Sequence, residues 1–362
     1  MARNLMATTR RTAAFGAVGI LAVTGLAACG GDDSAGGGGG DGKTIALLLP
    51  ESTTARYEAF DRPYFEAKVK ELCSDCEILY SNADQDDAKQ QEQAEAALTN
   101  GADVLVLDPV DSKAAASIVS SAKGSDVPVI AYDRFIADAP IDYYISFDNV
   151  KVGELQGTAL VEAMKAAGNE SGDIVMINGS PTDNNAGQFK EGAHNVLDDS
   201  GYDIAAEFDT PEWKPENAQN WMDQQLTALG DNLVGVYAAN DGTAGGAIAA
   251  MKGAGVDPLP PVTGQDAELA AIQRIVAGDQ AMTVYKAIKP EAEKAAELAV
   301  SLVEGEQPEG DTEVEGVASF LLTPIAVTKD NIKDTIIADE FYTVDDICTA
   351  EYADACAEAG LS

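Results

Sequence analysis

The sequence predicts an α/β fold of parallel sheet arranged in two lobes, and three observations carry that reading. Short, continuously apolar runs mark strands buried on both faces, helix-length stretches separate them, and the strands are too many for one comfortable sheet. The chain has 362 residues, of which 46% are hydrophobic and only 6% aromatic. That is length for two domains plus extras and enough apolar side chain for real cores, with Ala and Gly suited to tightly packed helices.

The elements follow in order. Residues 44–49 (TIALLL) form a strand, 58–72 a helix, 77–80 a strand and 86–100 a helix. A strand at 104–107, a helix at 112–123, a strand at 129–132 and a short strand at 144–147 complete the first run. The rhythm then restarts with a helix at 152–167, a strand at 174–178, a helix at 184–197 and a strand at 204–207. A helix at 215–229, a strand at 233–238, a helix at 242–252 and a strand at 262–264 come next. Helix 268–277, strand 283–284 and helix 290–304 close the pattern, the last read as a solvated Glu/Lys helix. Strands alternating with helices at this spacing argue right-handed βαβ units.

Charge and the first residues narrow the function classes. The chain carries 61 acidic and 23 basic residues, net −38, which repels a phosphate backbone and excludes nucleic-acid binding. A single His, His194, argues against a His-based metal site or a Ser/Cys–His catalytic pair. Arg3, Arg10 and Arg11 precede an uncharged, mostly apolar run at 13–28, too short for a membrane span and suited to a signal segment over 1–28. It ends in Leu26-Ala27-Ala28-Cys29, which resembles the lipobox of bacterial lipoproteins, where the Cys becomes the new N-terminus and carries lipid. The Gly-rich stretch that follows reads as a flexible tether, 29–43. The expected location is therefore outside the cytoplasmic membrane, held by lipid, with the export route (general secretory or twin-arginine) left open.

Four further cysteines, Cys73, Cys76, Cys348 and Cys356, suggest two disulfides in that compartment. Three pairings are possible, and the local pairs Cys73–Cys76 and Cys348–Cys356 are favoured. The CxxC at 73–76 lies between a helix and a strand, whereas a redox motif of the thioredoxin type opens a helix.

In open parallel sheets, ligands bind beyond the carboxyl ends of the strands, so residues just after each strand are the candidates. Those residues include Arg56 and Tyr57, Asp133 and Arg134, Asp183 to Asn185, Trp213, Asn240 and Asp241, Gln265 and Asp266, and Lys286. Hydrogen-bonding side chains with flat rings suit a polyol, whose hydroxyls both donate and accept and whose C–H faces pack on aromatic rings. No GxxxxGK-Ser/Thr or strand-linked GxGxxG loop is present for a phosphorylated ligand. Plainer roles compete: Asn184 and Asp241 as helix N-caps, Asp133-Arg134 as a surface ion pair, and Lys286 as a solvated charge. The acidic run 84–87 lacks the Gly and Glu of a calcium loop and reads as a helix start.

Five stretches carry a resemblance to a known family. They are AYDRFIADAPIDYYISFDNVKVGELQ (131–156), GSPTDNNA (179–186), AANDGTAGGAI (238–248), TGQDAELAAIQRIVAGDQAMTVYK (263–286) and LLTPIAVTKDNIKDTII (321–337). The chain resembles the type I periplasmic-binding-protein sugar receptors, most closely the D-xylose-binding proteins of ABC transporters. The resemblance implies two doubly wound parallel-sheet lobes joined by a three-stranded hinge near 147–148, 265–266 and 323–324. The first lobe is then 44–147 plus 267–323, and the second 148–266 plus 324–362. It implies no enzyme activity, no cofactor and no metal. The implied role is a lipid-anchored receptor that binds D-xylose, or a related aldose, and delivers it to a membrane permease with its ATPase. A monomeric state is expected, and a sugar sensor is the alternative. The implied sugar contacts are Arg56, Asp133, Arg134, Asp183, Asn185, Asn240, Asp266 and Lys286, with Tyr57 and Trp213 sandwiching the ring. Tyr57 stands where those receptors carry Trp, Lys190 where Arg is frequent, and the Cys-bearing tail after Ile337 has no counterpart, so glucose or another aldose stays open.

Overall fold

The computed structural model describes residues 43–361. The leader 1–28, Cys29 and the tether up to residue 42 lie outside the described residues.

The first lobe starts with β1 (Thr44–Leu49), α1 (Arg62–Leu72), β2 (Glu77–Asn82) and α2 (Asp87–Thr99). It continues with β3 (Val104–Leu107), α3 (Ala116–Gly124), β4 (Val129–Tyr132) and β5 (Tyr143–Phe147). The second lobe follows with α4 (Asn149–Ala166), β6 (Asp173–Asn178), α5 (Asn184–Leu197), β7 (Asp203–Asp209) and α6 (Pro215–Leu229). Next come β8 (Leu233–Ala238), α7 (Asp241–Gly253), α8 (Leu269–Ala277) and β9 (Thr283–Tyr285). The chain then returns through α9 (Ile288–Val303), β10 (Thr312–Val314) and β11 (Val317–Leu322), and ends with β12 (Ile325–Val327), α10 (Val344–Ile347) and α11 (Ala353–Glu358).

The first sheet has the order β10-β11-β5-β4-β3-β1-β2, parallel except at β10. The apolar run in β1 explains its central place. Ile45, Leu47 and Leu49 pack with Phe65 and Val69 of α1 and Ala295 and Ala299 of α9. Ala46 and Leu48 face Ala94 of α2 and Ile118 and Ala122 of α3 on the other side. Each large side chain so buried contributes roughly 1.5–3 kcal/mol by leaving water. The second sheet, β7-β6-β8, is built the same way, with α4 and α5 on one face and α6 and α7 on the other. Single parallel bridges, Val236 to Val262 and Gln265 to Val284, carry it on to β9, which pairs antiparallel with β12. Glycine sets one close approach: a Cβ on Gly153 of α4 would lie 2.0 Å from the Phe189 carbonyl oxygen of α5.

Several expectations change. Residues 267–286, expected in the first lobe, join the second, because β9 is bridged to Gln265 and α8 packs with Tyr285 and Val327. The second crossing therefore falls at 286–287, between β9 and α9, and not at 265–266. Helix α9 is not a solvated helix: Glu291, Ala292, Ala295, Ala296 and Ala299 are buried against the first sheet. The helix expected at 58–72 begins as a π turn over Tyr57–Asp61. The N-caps are Asp183 and Asn240, one residue before those expected.

The tail after Ile337 is ordered and docks on the second lobe. Ile347, Cys356 and Leu361 pack with Ile272, Ile275 and Val276 of α8. Phe341 stacks on Phe60 of the first lobe with ring centroids 4.3 Å apart, and Tyr342 meets the same ring edge-on. Both local cysteine pairs are joined, with Cα atoms 5.4 Å apart for Cys73–Cys76 and 5.8 Å for Cys348–Cys356. Among the described residues no helix is long and apolar enough to cross a membrane.

Candidate functional site

The carboxyl ends of both sheets meet around one small cavity. All ten candidates line it: Arg56, Tyr57, Asp133 and Arg134 from the first lobe, Asp183, Asn185, Trp213, Asn240 and Asp266 from the second, and Lys286 at the crossing. Thr54, Phe189 and Gln265 complete the wall. The ten are all buried, which rules out the surface ion pair and the solvated lysine.

On the first lobe, the π turn after β1 delivers Arg56 and Tyr57. Arg56 forks onto Asp61, Nε to Oδ2 at 2.9 Å and Nη2 to Oδ1 at 2.7 Å, and Nη2 also donates to Glu291 Oε2 at 2.7 Å. Its Nη1 lies 3.1 Å from Asp133 Oδ1 and makes no directed hydrogen bond. Tyr132 donates its hydroxyl to Asp61 and completes this anchor. Asp133, in a left-handed conformation at φ 55, turns the chain out of β4. Burial alone would raise its pKa, but Arg56, Lys286 and Arg134 together hold the carboxyl well below the usual range. Arg134 pairs across the cleft with Asp183, Nε to Oδ2 at 3.0 Å, rather than with its neighbour Asp133. Its Nη1 donates to Pro109 O at 3.1 Å and its Nη2 to the Tyr57 hydroxyl at 2.9 Å.

On the second lobe, Asp183 caps α5 by accepting from Asn185 N at 2.8 Å, and its other oxygen accepts from Trp213 Nε1 at 3.0 Å. Burial raises its pKa against the pull of Arg134. Gly179 makes room for the indole, since a Cβ there would lie 2.0 Å from the ring. Asn240 caps α7 through Oδ1, accepting from Thr243 N at 2.9 Å. Lys286 Nζ sits 3.4 Å from Asp133 Oδ1 and 3.6 Å from Asp266 Oδ1, above the rings of Phe147 and Phe189. Burial opposes its charge, yet Asp133 leads the carboxylates that raise its pKa, so it stays an ammonium. Trp213 and Asp266 share Asp133's left-handed backbone, at φ 55 and 90. Strained φ values at three lining residues fit a site held in shape by its surroundings.

Donors and acceptors are left over. Arg56 Nη1, Asn185 Oδ1 and Gln265 Oε1 are buried without hydrogen-bond partners. A polyol can use both kinds at once. Direct bonds also tie the lobes: Ser112 N donates to Thr182 O at 3.0 Å, Asn184 N to Ser112 Oγ at 3.1 Å, and Asn185 Nδ2 to Asp133 O at 3.0 Å. Lys190 lies outside the cavity, paired with Glu207 at 2.7 Å.

The model of the family described as periplasmic binding protein domain matches residues 45–307. The chain belongs to this family. It is 43% identical over 290 residues to the D-xylose-binding periplasmic protein of Escherichia coli, covering 78% of this chain and 86% of that protein. It is 41% identical over 295 residues to the D-xylose-binding periplasmic protein of Haemophilus influenzae, covering 79% and 87%. A solved ABC-transporter solute-binding protein of Clostridium phytofermentans, with bound β-D-glucose, superposes with a TM-score of 0.78 at 28% identity, over 84% of this chain and all of that one. The family is one of solute-binding proteins, not of enzymes.

Within this binding protein, three acidic residues near the cavity went unnamed by sequence reasoning. Asp61 and Glu291 anchor Arg56, and Asp108, just after β3, lies 3.5 Å from Arg134. Glu291 had a signal: it falls at helical spacing with Ala295, Leu298 and Ala299, so an inward face was readable. Asp108 had one too, since it follows a buried strand as the other candidates do.

Proposed function

We propose that this binding protein is the extracytoplasmic receptor of an ABC sugar importer, taking D-xylose or a related aldose between its lobes. One observation carries the reading most: ten polar and aromatic side chains from seven strand exits converge on one buried cavity with uncommitted donors and acceptors. Arg56, Asp133, Arg134, Asp183, Asn185, Asn240, Asp266 and Lys286 hydrogen-bond the hydroxyls, and Tyr57 and Trp213 cover the ring faces. Uncharged sugar leaves the internal ion pairs in balance, because the three cations already have carboxylate neighbours. The names of the curated relatives point to the same ligand class.

The mechanism is hinge closure. The lobes hinge at the crossings 147–148, 286–287 and 323–324, and sugar in the cavity touches both lobes and favours the closed state by its differential affinity. Closure strips water from the ring, which strengthens each hydrogen bond. The closed form then docks on a permease served by an ATPase. Lipid on Cys29 and the tether 29–43 keep the monomeric receptor near that permease. Calorimetry against a panel of aldoses, with the sugar recovered and analysed, tests the function. Tight binding of unchanged D-xylose or a close relative is expected, and failure to retain any aldose refutes it. Mass spectrometry of the processed chain checks the anchor, which predicts a diacylglyceryl group on Cys29.

A further inference from the structure

Four glutamines are buried among the described residues: Gln90, Gln156, Gln265 and Gln280. Three of them have both ends of the amide engaged. Gln90 donates to Asp108 O at 2.7 Å and accepts from Val110 N at 2.9 Å. Gln156 donates to Gly264 O at 3.0 Å and accepts from the Tyr237 hydroxyl at 3.1 Å. Gln280 donates to Asp241 Oδ1 at 2.8 Å and accepts from Arg274 Nε at 2.9 Å. Gln265 is the exception. Its Oε1 is buried with no hydrogen-bond partner among the described residues, and it is the one of the four that lines the cavity between the lobes.

The orientation of this amide is fixed by its neighbour. Gln265 Nε2 donates to Asp266 Oδ1 at 3.2 Å, and because a carboxylate only accepts, the amide turns its nitrogen there and not its oxygen. The backbone on both sides is fixed too: Gln265 O accepts from Asp241 N at 2.9 Å, and Asp266 N donates to Val284 O at 2.9 Å. Asn185 divides its amide in the same way, with Nδ2 on Asp133 O at 3.0 Å and Oδ1 without a partner. A buried amide oxygen that lacks a donor is costly, so a cavity ligand that supplies an O–H at that point is favoured over one that does not.

We propose that Gln265 is a further specificity-determining residue: Nε2 is committed to Asp266, and Oε1 accepts a hydrogen bond from one hydroxyl of the bound aldose. The proposal rests on reading the cavity as a sugar site. An amide free at both ends can meet a donor or an acceptor, whereas Gln265 presents an acceptor alone. It therefore reads the proton of that hydroxyl, and a sugar whose group there cannot donate is held less tightly.

The full-length receptor carrying Gln265→Met, similar in length but without the amide, tests this by calorimetry. The probes are D-xylose and its four analogues that each lack one hydroxyl; if the wild type retains another aldose, its deoxy series replaces them. Gln265→Met should bind D-xylose about tenfold more weakly than wild type. For one analogue, the one without the hydroxyl that Gln265 reads, the ratio of variant to wild-type Kd should be about tenfold smaller than for the other three. An equal ratio across all four analogues overturns the proposal, because the loss of Nε2 from Asp266 alone affects every sugar alike. An unchanged Kd for D-xylose also overturns it, and is what a water on Oε1 would produce. Gln265→Leu replaces the variant if Gln265→Met does not melt as a folded protein, with the same expectation. If the wild type retains no aldose, the sugar reading falls and this role with it; where the wild type binds, the variant's result bears on Gln265 alone.

Discussion

Trp213 is held in place by three neighbours. Asp183 holds its Nε1 at 3.0 Å, Gly179 leaves space for the ring, and Phe189 meets it at an angle with centroids 6.4 Å apart. A ring held this firmly loses little entropy on stacking against a sugar. Trp213→Ala is expected to weaken aldose binding by about 1–3 kcal/mol, read by calorimetry; an unchanged Kd would remove Trp213 from the site. Glu268 makes a second residue-scale case, in pH. Burial, with Asp266 next, pushes its carboxyl up to about 7 from an ordinary 4.5, against Arg274 and with Glu51 adding to the rise. Asp241 accepts from its backbone N–H at 2.9 Å. The folded state therefore holds this proton more tightly than the unfolded chain. The stability it contributes is full below about 4.5 and is lost as pH rises through about 7. Glu268→Gln should flatten the melting temperature across that window, and an unaltered pH slope in thermal melts would count against it.

Among the elements, the C-terminal extension does more than end the chain. Helices α10 and α11 cover α8, and Phe341 and Tyr342 reach Phe60 within the π turn that presents Arg56 and Tyr57. The Cys348–Cys356 bond closes a loop with a sequence separation of 8 and limits how far this segment spreads when unfolded. Chain-entropy reasoning gives such a bond about 2–3 kcal/mol. Cys348→Ser with Cys356→Ser should lower stability by that amount in denaturant titration, while leaving the Cys73–Cys76 pair intact. A loss near zero would mean that packing on α8 alone holds the extension. Helix α9 teaches a related point: its outward Glu and Lys residues suggested a solvated helix, but the Ala-rich opposite face fills the first core and Glu291 braces Arg56.

For the whole molecule, the proposed closure rests on bonds made across the cleft. Ser112 makes two of them, accepting from Asn184 N and donating its own N–H to Thr182 O. Ser112→Ala leaves the Asn184 N–H without that acceptor only in the closed form. The cost is about 0.5–1.5 kcal/mol, so affinity for the bound aldose should fall severalfold. Scattering should show a more open average at sub-saturating sugar. Wild-type affinity in this variant would show that the cross-cleft bond does not contribute to closure.

The sequence by itself determined the α/β alternation and the seven strand exits that carry the site, whereas the choice among three cysteine pairings came from the structure. The first two are short-range properties: strand burial shows as continuous apolar runs. Only the tertiary structure decided which cation meets which carboxylate. Arg134 chooses Asp183 over adjacent Asp133, and Arg56 gathers Asp61 and Glu291 from distant segments. It also moved residues 267–286 to the second lobe, by one bridge and one short antiparallel pair that leave no local pattern. Pairing between groups far apart in the chain depends on what the fold brings opposite them, and no window of neighbouring residues contains that information.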